Sequence, residues 1–549
     1  MTTIRPDSNG SPLWWQSGVI YQIYPRSFQD SNADGVGDLP GIASRLDYLQ
    51  ALGVDAIWLS PIYPSPMADF GYDVADYTAV HPIFGTMADF DALLAQTHAA
   101  GLRLILDFVP NHTSDQHPWF VESRSSRHNP RHDWYMWADA RPDGSPPNNW
   151  LSVFGGPAWE WDGATGQYYL HSFLKQQPDL NWRNPAVKAA MFDAVRFWLD
   201  RGVDGFRIDV AHYIMKDPQL RDNPPSSGDG RFIHKPIGEY DTQLHLYDHG
   251  HPDVHTVYRE LRQVLGSYDG SRPRMAVGEI HLFDWQEWAS YYGRNLDELH
   301  MPFNFGLLKV EWQARAVRQL VDTVEAVLPA GAWPNYVLSN HDESRIPSRY
   351  GLAGARLAAM LRLTLRGTPT LYYGDELGMA DVPIPPDREQ DPWGKREPGL
   401  GVGRDPERTP MQWDDSPNAG FTPANVEPWL PVSPDYRTVN VQTERDDPAS
   451  MLNLYWQLLA WRRQSPALHS GSYQPVEQAP DDCFVYLRRR ADECVLVALN
   501  FSNQEQRLNL RAFGEGKVLV STRLDRAERV RLADLSLGSS EGVLIGLSS

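Results

Sequence analysis

The chain of 549 residues is long enough for several domains, or for one large barrel with additions. Its composition, 42% hydrophobic and 22% charged, is that of an ordinary globular protein, and a formal net charge of -20 argues against nucleic acid or an anionic membrane as a partner. The two cysteines, Cys483 and Cys494, are too few for a disulfide scaffold.

The start of the chain lacks the charged residues and apolar run of a secretion signal, and no apolar stretch is long enough to span a membrane. We therefore expect a cytoplasmic protein without a membrane partner. The 20 tryptophans and 24 tyrosines suit binding of sugar rings, but they suit packing in a core equally well. The sequence carries no indication of oligomeric state.

Predicted strands and helices alternate through the first two thirds of the chain. Predicted helices include 39–52, 87–100 and 187–201, and the predicted strands are 19–24, 56–59, 102–109, 205–210, 275–278, 299–305, 336–338 and 369–373. Alternation of this kind indicates parallel β/α units. Eight such units predict a protein of the α/β class with a closed (β/α)8 TIM barrel.

Three stretches depart from this alternation. Residues 111–181 are rich in Trp, Pro, Asn and Gly and are too long for a simple connection, so we predict an inserted subdomain after the third strand. Residues 381–443, dense in Pro and Asp, are predicted to fold over the barrel mouth. Residues 466–549 contain short strands without helices and predict a C-terminal all-β sandwich domain, which leaves 1–110 and 182–465 for the barrel.

The fourth predicted strand reads GFRIDV, from Gly205 to Val210. Because side chains alternate along a strand, Arg207 and Asp209 point to the same face. Two opposite charges on a buried face are costly unless they are paired and used. Arg207 would lower the pKa of Asp209 and hold it ionised, as a covalent nucleophile requires, although a purely structural ion pair has the same pattern.

Three acidic residues follow barrel strands at their carboxyl ends, where barrel enzymes place their chemistry. Asp209 ends the fourth strand, Glu279 follows the fifth and Asp342 follows the seventh. A pair of carboxylates at one site is what glycoside hydrolysis needs, because one attacks the sugar and the other protonates the leaving oxygen.

Four short motifs follow one another along the chain: DFVPNH at 107–112, GFRIDV at 205–210, VGE at 277–279 and NHD at 340–342. This ordered set resembles the α-amylase superfamily of glycoside hydrolases, glycoside hydrolase family 13. QPDLN at 177–181 resembles a fifth motif in the subgroup of oligo-1,6-glucosidases and α-glucosidases. The resemblance runs from about Trp14 into the C-terminal β domain, and the complete set in order is far more specific than one motif alone.

The resemblance implies a retaining double displacement. Asp209 would be the nucleophile, and Glu279 would act first as general acid and then as general base. We expect the neighbouring carboxylates to raise the pKa of Glu279. Asp342 would stabilise the cation-like sugar, while His112 and His341 would hydrogen-bond its hydroxyls.

Further residues of the sugar site follow from the same resemblance. Asp69 and Tyr72, in the stretch ADFGYD, resemble the pair that closes the pocket around the non-reducing end of the substrate. Arg408, in RTPMQW, resembles an arginine of the subgroup that reaches the same place, where it could pair with Asp69; a surface salt bridge is the less favoured alternative. Arg207 belongs to the sugar site through its neighbour Asp209. A closed pocket would admit one glucose and make the enzyme exo-acting.

The stretch DSNADGVGD, residues 30–38, has oxygen ligands at regular spacing. It resembles the early part of an EF-hand loop, but it lacks the later glutamate. The subgroup carries calcium or magnesium at such a loop, so we predict structural Ca²⁺ (or Mg²⁺) and no organic cofactor; an Asp/Gly turn without metal is the alternative. The ligands would be Asp30, Asn32, Asp34, the Val36 carbonyl and Asp38.

The expected function is that of an α-glucosidase acting on short, neutral maltose- or isomaltose-type oligosaccharides, with transglucosylation at high sugar concentration. Val210, directly after the nucleophile, resembles the valine of α-1,6-accepting members, but residues 210–212 match neither specificity cleanly. A trehalose synthase or a sucrose-isomerase-type transglucosidase is the alternative. A non-enzymatic barrel that serves as a binding module is disfavoured, because the three acids are retained and no membrane anchor is present.

Overall fold

The computed structural model describes residues 12–226, 238–270 and 272–547. Among these residues are one parallel sheet and three antiparallel sheets. No helix in this part of the chain is long and apolar enough to cross a lipid bilayer.

The secondary-structure elements are numbered here in chain order. The strands are β1 (Ile20–Ile23), β2 (Ala56–Leu59), β3 (Arg103–Phe108), β4 (Trp137–Ala138), β5 (Trp159–Asp162), β6 (Gln167–Leu170), β7 (Gly205–Ile208), β8 (Met275–Gly278), β9 (Met301–Pro302), β10 (Thr370–Tyr372), β11 (Ser472–Pro475), β12 (Cys483–Arg490), β13 (Glu493–Asn500), β14 (Gln506–Leu508), β15 (Glu515–Ser521), β16 (Arg529–Arg531), β17 (Leu535–Leu537) and β18 (Gly542–Leu547). The α-helices are α1 (Trp14–Ser17), α2 (Pro25–Phe28), α3 (Leu39–Ser44), α4 (Leu46–Leu52), α5 (Met87–Ala99), α6 (Pro118–Ser123), α7 (Pro185–Arg201), α8 (Val254–Gly266), α9 (Trp285–Ser290), α10 (Gly306–Lys309), α11 (Ala314–Val327), α12 (Ile346–Thr364), α13 (Pro392–Arg396), α14 (Val441–Asp446), α15 (Met451–Gln464) and α16 (Pro466–Ser470).

The parallel sheet forms the wall of a barrel. Its strands follow the order β10-β1-β2-β3-β7-β8-β9. The segment 333–338 fills the gap between β9 and β10: the Val337 N–H donates to the Asn304 carbonyl at 2.9 Å, and the Thr368 N–H donates to the Pro334 carbonyl at 3.0 Å. The predicted α/β barrel is therefore confirmed.

Two of the predicted barrel strands differ from the structure. The predicted strand 336–338 makes a single parallel bridge, through Tyr336, instead of a continuous ladder, and the predicted strand 299–305 shortens to β9. Pro302 and Pro334 have no N–H to donate to a neighbouring strand. The Asn335 side chain instead donates to the Thr368 carbonyl at 2.8 Å, so side-chain bonds replace part of the ladder.

The helices also show why the chain enters β7 where it does. The side chain of Asn184 caps the start of α7 by accepting from the Ala186 N–H, and Gly202, at a φ of 107°, ends the helix three residues before β7.

The predicted helix 39–52 is instead two helices, α3 and α4. Arg45, at a ψ of 9°, leaves helical geometry between them.

The interior of the barrel is packed with large apolar side chains. Alternate residues of the strands point inward and form one cluster: Ile20, Ala56, Trp58, Ile105, Met275, Val277 and Met301. Trp15 of α1 belongs to the same cluster. The barrel is therefore a filled core, and the chemistry is confined to its mouth.

Two segments add to the barrel at this mouth. Within residues 111–181 lies an antiparallel sheet of order β4-β6-β5, and a bridge between His112 and Asp179 joins the two ends of the segment. Residues 381–443 contain α13 but are otherwise largely irregular. Their Arg404 and Arg408 contact Asp342. The boundaries proposed for these units remain predictions.

The C-terminal part is an all-β unit, as the sequence predicts. Its main antiparallel sheet has the order β11-β12-β13-β18-β15-β16, and β14 pairs with β17. Alternation along β12 divides the side chains between two cores: Val485 and Leu487 lie in the local core, whereas Phe484 and Tyr486 join the large core shared with the barrel helices.

Candidate active site

The carboxyl ends of the barrel strands surround a cavity that is open to solvent on one side. Asp209 directly follows β7, Glu279 directly follows β8, and Asp342 precedes α12. These three acids line the cavity with Asp69, Tyr72, His112, Gln177, His341 and Arg404. The structure thus brings together three acids that are far apart in the sequence.

Arg207 organises the acids from behind. Its Nη1 donates to Asp107 Oδ1 at 2.7 Å and to Asp209 Oδ1 at 2.8 Å, while its Nη2 donates to Glu279 Oε2 at 2.6 Å. The guanidinium is buried and lies over the ring of Trp58, 5.1 Å from its centroid. One buried cation therefore fixes the positions of the predicted nucleophile and the predicted acid together.

The chain turns sharply at Val210, immediately after the predicted nucleophile. Val210 has a φ of 34°, in the left-handed region that a β-branched residue rarely adopts. This conformation directs its N–H to Glu279 Oε2, at 3.0 Å. Such strain typically costs about 1–3 kcal/mol, so the turn is held by its surroundings at the site.

Glu279 accepts more hydrogen bonds than the sequence suggests. In addition to Arg207 and the Val210 N–H on Oε2, His281 Nε2 lies 2.8 Å from its Oε1. Although burial favours the neutral form, Arg207 and His281 outweigh it and lower the pKa of Glu279 to about 2. The expectation of a raised pKa for Glu279 is therefore wrong.

Asp209 shows the opposite behaviour. Burial raises its pKa well above the usual value, and the charges of Glu279, Asp107 and Asp342 add to the rise, while Arg207 opposes it. Arg207 must divide its donors among three carboxylates, and Asp209 receives only one of them. Arg207 does lower the pKa of Asp209, as expected, but burial and the neighbouring carboxylates outweigh it, so the expectation that Arg207 alone holds Asp209 ionised is wrong.

Asp342 lies in a strongly positive environment. Its Oδ1 accepts from Arg408 Nη2 at 2.7 Å and from Arg404 Nη1 at 3.2 Å, and its Oδ2 lies 3.3 Å from His341 Nε2. Burial opposes ionisation, but His341 and the two arginines lower the pKa of Asp342 far below its usual value. Asp342 is therefore a carboxylate at any working pH, as a residue that stabilises positive charge must be.

His341 and Tyr72 form a stacked pair against this carboxylate. Their ring centroids are 5.4 Å apart with an interplanar angle of 7°, and the Tyr72 hydroxyl lies 2.6 Å from His341 Nε2. The other ring nitrogen of His341 contacts Gln22 Nε2 at 2.8 Å. Burial lowers the pKa of His341 to about 3, so its imidazole is neutral and held in one orientation.

Asp69 pairs with a different arginine from the one that the sequence indicates. Arg404 Nη2 donates to Asp69 Oδ1 at 2.7 Å and to Asp391 Oδ1 at 2.6 Å. Arg408 instead donates to the His341 carbonyl at 2.7 Å and to Asp342. The predicted Asp69–Arg408 pair is therefore wrong: the motif match chose the second of two arginines four residues apart, and only the first lines the cavity.

The remaining predicted sugar contact, His112, lies on the wall of the cavity beside Gln177. His112 Nε2 lies 3.2 Å from both the Tyr72 carbonyl and Gln177 Nε2, and Gln177 Nε2 also donates to Asp69 Oδ2 at 3.2 Å. Burial lowers the pKa of His112 to about 4, so the ring is neutral. Gln177 belongs to the QPDLN stretch, so the sequence contained a signal for it.

Part of the cavity wall is apolar, and apart from Val210 its residues were not anticipated from the sequence. It is formed by Val153, Phe154, Phe173, Val210, Tyr213, Tyr240 and Trp393. These residues come from both segments that add to the barrel mouth as well as from the barrel, and no periodic pattern marks them.

The predicted metal loop is held by hydrogen bonds within itself. Asp30 Oδ1 accepts from the Asn32 and Ala33 N–H groups, and Asp34 Oδ1 accepts from the Val36 N–H. Asp38 Oδ1 caps α3 through the Gly41 N–H at 2.6 Å. Across the described ranges, no group of three or more His, Cys, Asp or Glu side chains is arranged to hold a metal ion, and the calcium site stays a prediction.

Comparison with known proteins agrees with this geometry. The catalytic domain model of the α-amylase family matches residues 22–471. A probable α-glucosidase of Rhizobium meliloti (strain 1021) is 45% identical over 513 residues, covering 91% of each chain. An oligo-1,6-glucosidase of Parageobacillus thermoglucosidasius is 40% identical over 528 residues, covering 90% of this chain and 91% of the relative.

A solved structure gives the same result for the whole fold. The α-glucosyl transfer enzyme XgtA superposes with a TM-score of 0.92 at 43% identity, covering 98% of this chain and 100% of the other. The family model covers well over half of the chain, and the two sequence relatives named above are a probable α-glucosidase and an oligo-1,6-glucosidase, which are glycoside hydrolases. The chain therefore belongs to the α-amylase family and is a glycoside hydrolase.

Proposed function

We propose that the protein is a retaining, exo-acting α-glucosidase that releases glucose from the non-reducing end of short α-glucosides of the maltose and isomaltose type. The observation that carries this proposal is the meeting of Asp209, Glu279 and Asp342 at one cavity, with a single guanidinium bonded to the first two. A pair of carboxylates at one cavity is the minimum that glycosyl transfer through a covalent intermediate requires.

In the first half of the reaction, Asp209 attacks the anomeric carbon while Glu279 protonates the departing glycosidic oxygen. The Asp209 carboxylate is positioned by Arg207, so its attack needs no large rearrangement. In the second half, Glu279 removes a proton from water, which releases glucose with its original α configuration. Asp342, kept negative by its two arginines, stabilises the positive charge that develops on the ring.

The closed end of the cavity supports exo action. The Asp69–Arg404 pair and Asp391 form a buried cluster there, next to the stacked Tyr72 and His341. Charged and amide groups of this kind can hydrogen-bond the hydroxyls of one terminal glucose. An enzyme whose site is closed by this cluster behind one glucose would shorten chains one glucose at a time.

Transfer of glucose to an acceptor other than water is a second candidate activity. The apolar wall that includes Phe154, Phe173 and Trp393 excludes water from one side of the cavity, which lengthens the life of the covalent intermediate. The similarity to an α-glucosyl transfer enzyme favours the same activity. A trehalose synthase or sucrose-isomerase-type reaction would be the extreme form, in which the acceptor is a second sugar.

Product analysis separates these possibilities. The enzyme is incubated with maltose, isomaltose, sucrose and trehalose, and the products are separated by chromatography. Net glucose release from maltose or isomaltose supports the hydrolase. Accumulation of trehalose from maltose, or of an isomer from sucrose, with little free glucose would show that the enzyme is a transglucosidase and not a hydrolase.

The nucleophile is tested in parallel. Asp209→Asn should abolish turnover, while the same substitution at the exposed Asp193 should leave activity unchanged. A fluorinated glucosyl fluoride should trap the covalent adduct on the peptide that contains Asp209, detected by mass spectrometry. Labelling of a different carboxylate would refute the assignment.

A further inference from the structure

The hydrogen bonds of Glu279 leave one of its oxygens for proton delivery. Oε2 is occupied by two donors, Arg207 Nη2 and the Val210 N–H. Oε1 faces His281 Nε2, at 2.8 Å. Any proton that Glu279 gives to a leaving group must therefore be carried on Oε1, the oxygen that His281 contacts.

This arrangement conflicts with the role of a general acid unless a proton is stored nearby. The donors around Glu279 lower its pKa to about 2, so the residue is a carboxylate in the free site at neutral pH. A general acid must nevertheless be protonated when the glycosidic bond breaks. Histidine is the side chain whose ordinary titration falls between about pH 5 and pH 8, which makes it the natural neighbour for this purpose.

The position of His281 suits proton exchange with the cavity. Its ring stacks on Phe305 with centroids 4.2 Å apart and an interplanar angle of 12°, which fixes its orientation. Its side chain is 27% exposed, and it lines the same cavity as the three acids. The ring can therefore contact Glu279 and solvent at the same time.

Several charged or titratable groups surround His281 and Glu279. On the side of the acid lie Arg207, Asp209 and Asp342, and Glu343 lines the cavity nearby. Behind the ring lies His212, with centroids 6.1 Å apart, followed by His249, and Lys309 of α10 lies over the neighbouring Phe283. Burial, together with His249 and His281, holds the pKa of His212 well below its usual value, so His212 does not compete for the proton.

We propose that His281 is a positioning residue that stores the catalytic proton and passes it to Glu279 when substrate enters the cavity. This inference rests on the proposed function, since it gives Glu279 its role as general acid. Before substrate enters, the proton of the pair is held on Nε2 of His281, 2.8 Å from Glu279 Oε1. Substrate displaces water and favours the pair with fewer charges, which is a neutral imidazole and a carboxylic acid.

The proton transfer is balanced in both directions. The Nε2–H bond of His281 breaks and an O–H bond forms on Glu279 Oε1, with no change in the total charge of the pair. Glu279 then gives this proton to the glycosidic oxygen. In the second half of the reaction, the proton that Glu279 takes from water returns to His281 Nε2 and restores the starting state.

The test uses two substitutions, His281→Phe and His281→Gln. Phenylalanine keeps the stack on Phe305 but has no proton to give, while glutamine keeps an N–H donor that does not titrate. The alkaline limb of the kcat/KM profile on maltose should move to lower pH by about one unit or more in both variants, which means a loss of about tenfold on the alkaline side. His128→Gln, an exposed histidine, serves as the matched control and should keep the wild-type profile.

The outcome separates proton storage from a structural role. Near the acidic optimum of each variant, kcat/KM should return towards the wild-type value, and p-nitrophenyl α-glucoside, whose leaving group needs little protonation, should lose less than maltose. A loss that is equal at all pH values and on both substrates, or a wild-type alkaline limb in His281→Gln, would overturn the proposal. If Glu279→Gln keeps full maltose activity, the proposed function itself fails, whatever the His281 variants do.

Discussion

Arg207 offers the most direct test of how the acids are held together. Arg207→Met removes the guanidinium but keeps a long apolar side chain in the barrel. Three bonds are lost, at 2.7, 2.8 and 2.6 Å, to Asp107, Asp209 and Glu279. All four groups are buried, so water from the cavity can compensate only in part for the lost bonds.

The size of the effect follows from burial. Removing one partner of a buried ion pair typically costs about 3–5 kcal/mol, because an uncompensated charge remains inside the protein. We therefore expect the free energy of unfolding to fall by at least that amount at neutral pH. Arg196→Met, which removes an exposed pair with Asp193, is the matched control and should cost less than about 1 kcal/mol.

The dependence on pH has a definite sign. Without Arg207, burial and mutual repulsion raise the folded-state pKa values of Asp107, Asp209 and Glu279 above their unfolded values. An acid with a raised folded pKa lowers stability as the pH rises through that pKa. The deficit of Arg207→Met relative to wild type should therefore grow between about pH 5 and about pH 8.

Urea denaturation followed by tryptophan fluorescence measures this deficit at several pH values. Activity should be lost in the same variant, because the proposed nucleophile, Asp209, and the proposed acid, Glu279, lose the guanidinium that bonds both of them. If Arg207→Met is as stable as Arg196→Met, or if its stability deficit shrinks as the pH rises, the guanidinium does not stabilise the three buried carboxylates.

Three other predictions concern the pH profile, the closed end of the cavity and the metal loop. Because burial raises the pKa of Asp209 above 3.8, the acidic limb of kcat/KM should lie above that value, with activity lost as the pH falls through it; a limb below 3.8 would contradict the assignment. Arg404→Leu should lower kcat/KM on maltose by about tenfold to a hundredfold, since a charged hydrogen bond is worth about 1.5–3 kcal/mol, whereas Arg388→Leu, at an exposed pair, should have no effect; equal activity in the two variants would argue against the Asp69–Arg404 closure. If calcium binds the loop 30–38, a chelator should lower Tm and added Ca²⁺ should restore it. At a Ca²⁺ concentration one hundred times Kd, binding should add about 2.7 kcal/mol to the free energy of unfolding. The variant Asp34→Ala should not respond, and identical Tm values with and without chelator would refute the site.

Most of the barrel could be predicted because its strands are continuous apolar runs bounded by turn residues. The stretches at β2 and β8 agree with the prediction to the residue. The segment 333–338 could not be predicted correctly. Pro334 has no N–H to donate to a neighbouring strand, and the Asn335 side chain makes a bond that a backbone group would otherwise make. Periodicity reports burial, but it does not report which donors are missing.

The three acids could be located from the sequence for a similar reason. Each lies at the carboxyl end of a predicted strand, and parallel strands bring those ends to one mouth. The choice between Arg404 and Arg408 could not be made in this way, since both lie in an irregular segment four residues apart. Only the path of that segment decides that Arg404 faces Asp69.

By itself, then, the sequence determined the barrel, its additions and the identity of the acids, because these depend on local patterns and on strand order. The tertiary structure decided the protonation of the acids. Glu279 gathers donors from Arg207, Val210 and His281, whereas Asp209 receives only one, so their pKa values move in directions opposite to those expected. Such shifts depend on how many donors lie within hydrogen-bond distance of each buried oxygen, and the order of residues along the chain does not determine those distances.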